Sequence, residues 1–184
     1  MSYFAAGLAR TADGWVAGEL DLDGVADVDE VADLLRELDD SAEAALLFVE
    51  EDDEYVAIVR VDSGAVDPRV FISDGRAADT YPIVEMLADA LTTGVPRSAA
   101  VASLVADHDE DVGEEPEEDE DAPPGHDSEP LGDAALLADF GTPARDLLAL
   151  CAQEGTLPAD VITEVCERAG CLDELESLRL EGVT

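Results

Sequence analysis

A chain of 184 residues with 47 carboxylates and nine basic side chains carries a formal net charge of −38. All nine basic residues are arginine, because no lysine occurs. Cationic side chains are what displace counterions from phosphates, so this composition argues against direct binding to nucleic acid or anionic membranes, and it favours contact with basic protein surfaces. The length fits one ordinary domain or two small ones. Residues of apolar type make up 47% of the chain and aromatics only 4%. A core can therefore form, but its small side chains each bury little area.

The first hundred residues read as an α+β domain. Tyr3 to Arg10 and Trp15 to Leu20 are short apolar runs around Thr11-Ala12-Asp13-Gly14, a hairpin signal. Val28, Val31, Leu35 and Leu38 recur at helical spacing, with Asp27 placed to cap the helix and Asp29 and Glu30 in its first turn. Ala44 to Glu50 and Tyr55 to Val61 read as strands around the acidic turn Glu51 to Glu54. Val70 to Ser73 is a fifth, short strand, followed by Asp74-Gly75. A second helix is expected from about Pro82 to Leu91, closed by Gly94 and Pro96. The order β-β-α-β-β-β-α implies an antiparallel sheet with helices packed on a face, an order compatible with a profilin-like or roadblock-like platform.

Residues 101–133 differ in kind. From 107 to 133, fourteen of 27 positions are Asp or Glu and none is Arg. Such a stretch buries too little apolar area to offset its conformational entropy, so an extended, disordered acidic linker is expected. Residues 134–184 return to helical pattern as a small helical module. A short helix is expected over Ala134 to Phe140, ending at Gly141. Thr142 is placed to cap a second, with Pro143 at its first position and Ala144, Leu147, Leu148 and Cys151 on one face, and Gly155 ends it. A third starts at Pro158 and stops at Gly170; a last runs from Leu172 to Leu180.

Little in the sequence points to catalysis. There is no glycine-rich nucleotide fingerprint, no Walker A sequence and no nucleophile elbow. The two histidines, His108 and His126, both fall in the acidic stretch, so a histidine base has no rigid platform. His108-Asp109-Glu110 matches the H-x-E of zinc deaminases in letters alone, because the P-C-x-x-C partner is missing. Cys151, Cys166 and Cys171 lack metal-ligand spacing; Cys151 and Cys166 lie on apolar helical stripes and read as core residues. The turn Glu51-Asp52-Asp53-Glu54 lacks the alternating ligands and mid-loop glycine of a calcium loop. No catalytic, cofactor or metal site is expected. The amino terminus, Met1 to Phe4, has no basic or apolar leader pattern, no apolar run is long enough to cross a bilayer, and the cysteine count is odd, so the expected compartment is the cytoplasm.

One segment stands apart. Val70 to Ala78 runs from a strand through a glycine turn and places Arg76 near an exposed edge, with Arg69 and Asp74 beside it. Arginine anchors interfaces, so Arg69, Asp74 and Arg76 are candidate partner-contact residues; the plain alternative is a capped turn with solvated charges. This segment, together with Phe140 to Ala144 and Leu150 to Asp160, resembles the bacterial tRNA adenosine deaminase-associated protein family. The resemblance implies association with the enzyme that converts wobble adenosine to inosine in tRNA. It assigns no catalytic residue. An accessory protein held to that deaminase, or to another basic protein, by protein–protein contacts is the expectation. The alternative is a stand-alone regulatory or structural module, such as a homodimer through a sheet edge, whose acidity reflects a general proteome bias.

Overall fold

The computed structural model describes residues 3–93 and 129–181. Five strands come from the first part of the chain: β1 (Tyr3–Thr11), β2 (Gly14–Glu19), β3 (Ala44–Glu51), β4 (Tyr55–Asp62) and β5 (Arg69–Ile72). Helices α1 (Val28–Leu38) and α2 (Pro82–Thr93) complete the expected order. Asp27 caps α1 by accepting from the Glu30 amide at 3.0 Å, while the Glu30 carboxylate reaches back to the Ala26 amide at 2.8 Å. The β3–β4 hairpin turns through Asp52 and Asp53, both left-handed at φ of +52° and +57°. Aspartate tolerates that region better than most side chains.

A sixth strand, β6 (Leu131–Gly132), pairs with β5 and gives the order β2-β1-β3-β4-β5-β6, every neighbouring pair antiparallel. This corrects the linker expected over 101–133: residues 129–133 are part of the sheet edge, and the stretch from 101 to 128 lies outside the described residues. The Glu129 carbonyl accepts from the Gly75 amide at 3.0 Å, and the Val70 carbonyl accepts from the Asp133 amide at 2.8 Å. Such pairing occupies the otherwise open edge of β5 through backbone groups, so it leaves no side-chain period in the sequence. Gly132 is required there. Its φ is +88°, and a Cβ would lie 2.1 Å from the Val70 carbonyl oxygen.

Helices cover both faces of the sheet, not one. Odd-numbered residues of β1, β3 and β4 (Ala5, Leu47, Val49, Tyr55, Val59) pack with Val31 and Leu35 of α1 and Val84 and Leu87 of α2. Even-numbered residues (Leu8, Leu46, Phe48, Ile58) pack instead with residues from 134 to 178. That second layer contains α3 (Ala144–Ala152), α4 (Pro158–Ala169) and α5 (Leu172–Glu181). Two covered faces explain why β3 and β4 are apolar almost without alternation.

Two local expectations change here. Residues 134 to 140 form turns and a short 3-10 segment (Ala138–Phe140) in place of a helix, closed by left-handed Gly141. Thr142 does not cap α3; the cap position is Pro143, and Thr142 is fully buried with its hydroxyl unpartnered. The expected stop of α2 at Gly94 and Pro96 lies outside the described residues.

Arginines clasp the second helical layer to the sheet. Arg60, in β4, is 7% exposed. Its guanidinium donates to the Leu136 carbonyl at 2.6 Å and to Asp62 at 2.7 Å, and it forms a two-pronged pair with Asp139. It also lies 4.7 Å from the centroid of Phe140, whose ring meets Trp15 at 5.4 Å. The Trp15 indole in turn donates to the Ala169 carbonyl at 3.2 Å. Arg179 of α5 sits over Phe4 of β1 and donates to Thr163 at 3.0 Å.

Candidate functional site

A cleft of about 590 Å³ opens where three parts of the chain meet. The β3–β4 turn supplies Asp53 and Glu54, the end of β5 supplies Ser73 and Asp74, and the α3–α4 loop supplies Gln153 to Leu157. Val56, Leu148 and Val161 form apolar floor, and Cys151 lies among them. Local rules place each wall. Ser73 is locked to β4 from both sides, its hydroxyl accepting from the Val56 amide and its amide donating to the Val56 carbonyl, each at 2.9 Å. The Asp160 carboxylate holds the loop's end by accepting from the Leu157 amide at 3.2 Å, and Pro158 begins α4 with its φ already suited to helix.

Of the three residues expected from sequence, Asp74 lines this cleft and Arg76 adjoins it. The Asp74 carboxylate accepts from the Arg76 amide at 2.8 Å and lies 3.8 Å from its guanidinium, which leaves the Arg76 side chain 61% exposed. Arg69 stands at the opposite end of β5. It faces Arg60 across the β4–β5 ladder and pairs with Asp133 at 2.6 Å. Two like charges directly opposed in a sheet repel, and here each is matched by its own carboxylate, Asp139 for Arg60 and Asp133 for Arg69.

The cleft is electronegative. Among the described residues, the ion pairs involve Asp74 but not Asp53, Glu54 or Glu154. Leu157 projects at the rim, 46% exposed. The Cys151 thiol is pushed up to about 12 by burial, so it stays protonated near neutral pH and is a poor nucleophile. Cys166 and Cys171 are fully buried as free thiols away from solvent, and Cys166 is also raised, by its hydrogen bond with Cys171 and by burial. Among the described residues, no group of three or more His, Cys, Asp or Glu is arranged to hold a metal ion. His108, His126 and the His108-Asp109-Glu110 triplet lie outside the described residues. No described helix is long and apolar enough to cross a membrane. Sequence reasoning reached Asp74 but missed Asp53, Glu54, Glu154 and Leu157 as its neighbours. Two of the segments that carry the family resemblance, Val70 to Ala78 and Leu150 to Asp160, both contribute residues to the lining of this one cleft.

Fold and cleft together define an acidic, mixed α+β protein with a six-stranded antiparallel sheet between helices and a concave, carboxylate-rimmed surface at one end. The chain belongs to the Rv3753c-like tRNA adenosine deaminase-associated protein family, whose model matches residues 3–172. That match spans the whole sheet and helices α1 to α4, and it ends at the first residue of α5. No curated protein and no solved structure matches the chain.

Proposed function

We propose that this protein is a non-catalytic accessory factor that contacts a tRNA adenosine deaminase through protein surfaces. Membership of a deaminase-associated family over residues 3–172 carries the reading. The charge of −38 supports it, because a tRNA-binding enzyme must present cationic surface and an acidic partner is attracted to such a surface. Arg76, Asp74 and Arg69 are then contact residues on β5 and the turn that follows it. The same charge keeps the accessory off the tRNA itself, and the cytoplasm is where it works. Titration of purified deaminase with the full chain, at low and at physiological salt, tests the proposal. Saturable binding that weakens with salt is expected, and no binding at either salt rejects it.

A second reading has its own observation. Strand β2 ends the sheet order, so its outer edge has no strand partner among the described residues, and Val16 on it is 38% exposed. An open edge can pair with a second copy. Light scattering that gives a stable dimer indifferent to added deaminase would favour a self-contained homodimer over the accessory.

A further inference from the structure

The accessory reading needs a place of contact, and the cleft supplies one with a distinct chemistry. Its volume, about 590 Å³, is that of a binding site and well above a packing defect. The carboxylates at the rim are Asp53, Glu54, Asp74 and Glu154, the apolar groups at the floor include Val56 and Val161, and the Leu157 side chain is left 46% exposed beside them. A small neutral metabolite would leave those carboxylates facing one another. A metal ion has no ligand set there among the described residues. An acidic segment would be repelled. What fits is a chain that brings positive charge to the rim and an aliphatic side chain to the floor.

We infer that this cleft docks an extended segment of a partner protein that carries arginine or lysine alternating with aliphatic residues. Alternation matters because an extended chain sends successive side chains to opposite sides, so one set reaches the floor beside Leu157 while the other meets the carboxylates. Asp74 has a fixed role in this geometry. Its carboxylate already caps the turn at the Arg76 amide, so it meets an incoming cation without losing side-chain freedom. Asp53 is exposed at the left-handed turn between β3 and β4, on the same rim.

The inference rests on the accessory reading for the partner's identity but not for its chemistry, and the test separates the two. The probes are a fluorescent peptide of alternating Leu and Arg, its Leu–Glu and Ser–Arg counterparts, and purified tRNA adenosine deaminase. They are titrated against the full chain and three variants. The first, D53N/E54Q/D74N/E154Q, removes the rim charges isosterically, and asparagine serves as well as aspartate in both the left-handed turn and the cap. The second, Leu157→Ser, removes the exposed aliphatic group at a helix start that favours serine. The third, D33N/E37Q/D40N/E43Q, removes the same number of charges from the exposed surface around α1. Trp15 fluorescence verifies the fold of each.

The Leu–Arg peptide is expected to bind best, to lose roughly tenfold or more in affinity with the rim variant, and to lose severalfold with Leu157→Ser. The α1 variant should change affinity by less than about twofold. Bound peptide should also slow alkylation of Cys151, the partly exposed thiol at the floor. Equal losses from the rim and α1 variants would overturn the inference, since the chain's overall field would then explain binding. So would undiminished binding to the rim variant, or no binding of the Leu–Arg peptide to the parent chain. Deaminase that binds parent and rim variant alike overturns the cleft as its docking place and leaves the accessory reading standing. Peptide bound in the cleft without any deaminase binding does the reverse.

Discussion

Replacing Arg60 with alanine should loosen the helical layer that residues 134 to 178 lay over the sheet. The side chain is 8% exposed and has three kinds of partner, so the cost of removing it follows contact by contact. The Leu136 carbonyl loses its donor, and a buried acceptor left unsatisfied costs about 1–3 kcal/mol. The cation over Phe140 contributes about 0.5–2 kcal/mol in a partly desolvated setting. The pair with Asp139, whose side chain is 58% exposed, adds only about 0–1 kcal/mol. The expected loss is about 2–5 kcal/mol, a fall in melting temperature of roughly 4–20 °C for a chain of this size. Urea unfolding followed by Trp15 fluorescence is the natural assay, because that indole contacts Phe140 and bonds to Ala169 and so reports on the interface itself. Far-UV circular dichroism runs alongside it. Arg60→Met, which keeps the aliphatic stem, should recover part of the loss. If Arg60→Ala shifts stability by less than about 0.5 kcal/mol, the clasp is not what holds the layer in place and the reasoning fails.

Three further outcomes are expected. Burial raises Glu50, only partly offset by Arg179, and one of its oxygens has no partner; a raised folded-state value means stability present below the unfolded value and lost as pH rises through the folded one. Mild acidification toward the ordinary value of 4.5 should therefore stabilise the protein, and Glu50→Gln should flatten that part of the pH profile. The Asp139 carboxyl, held low chiefly by its hydrogen bond with Arg60, acts oppositely: its contribution is present above its ordinary 3.8 and disappears only in stronger acid, which a steepening of the profile there would reveal. Gly132→Ala should cost about 1–3 kcal/mol, read by thermal melting, because a left-handed φ and the Val70 carbonyl both oppose a Cβ. Native Cys151 should be alkylated at pH 8 on the order of a thousandfold more slowly than a free thiol, with full labelling restored in urea.

Much of the secondary structure was legible because it rests on local rules. Asp27 as cap, Asp-Gly in the first hairpin and the stripe of Val31 and Leu35 each depend on neighbours within a few residues. The sixth strand was not legible. Leu131 and Gly132 sit in acidic surroundings, and their pairing with Ile72 and Phe71 uses the backbone alone. The covering of both sheet faces was written in Ala44 to Val49 and Tyr55 to Val61, whose unbroken apolar runs lack the alternation of a one-sided sheet, but reading it required trusting a missing period. At the site, Asp74 could be found from its turn. That it shares a cleft with Glu154, eighty positions away in the chain, depends on how α4 lies on β4 and α3 on α4, and no local pattern encodes that. The roles of Trp15, Arg60 and Phe140 were not legible for the same reason: each exists only in contact.

The face of the sheet lined by Leu8, Leu46, Phe48 and Ile58 has a history during synthesis. These strands leave the ribosome before their cover, and Leu178, the last buried residue of that cover among the described residues, emerges 106 positions after Ile72. At about 5–20 residues per second the nascent protein exposes that oily surface for roughly 5–20 s before its own carboxyl-terminal helices can reach it. Over that interval chaperones and translation speed, as much as equilibrium stability, govern how much protein reaches the native state.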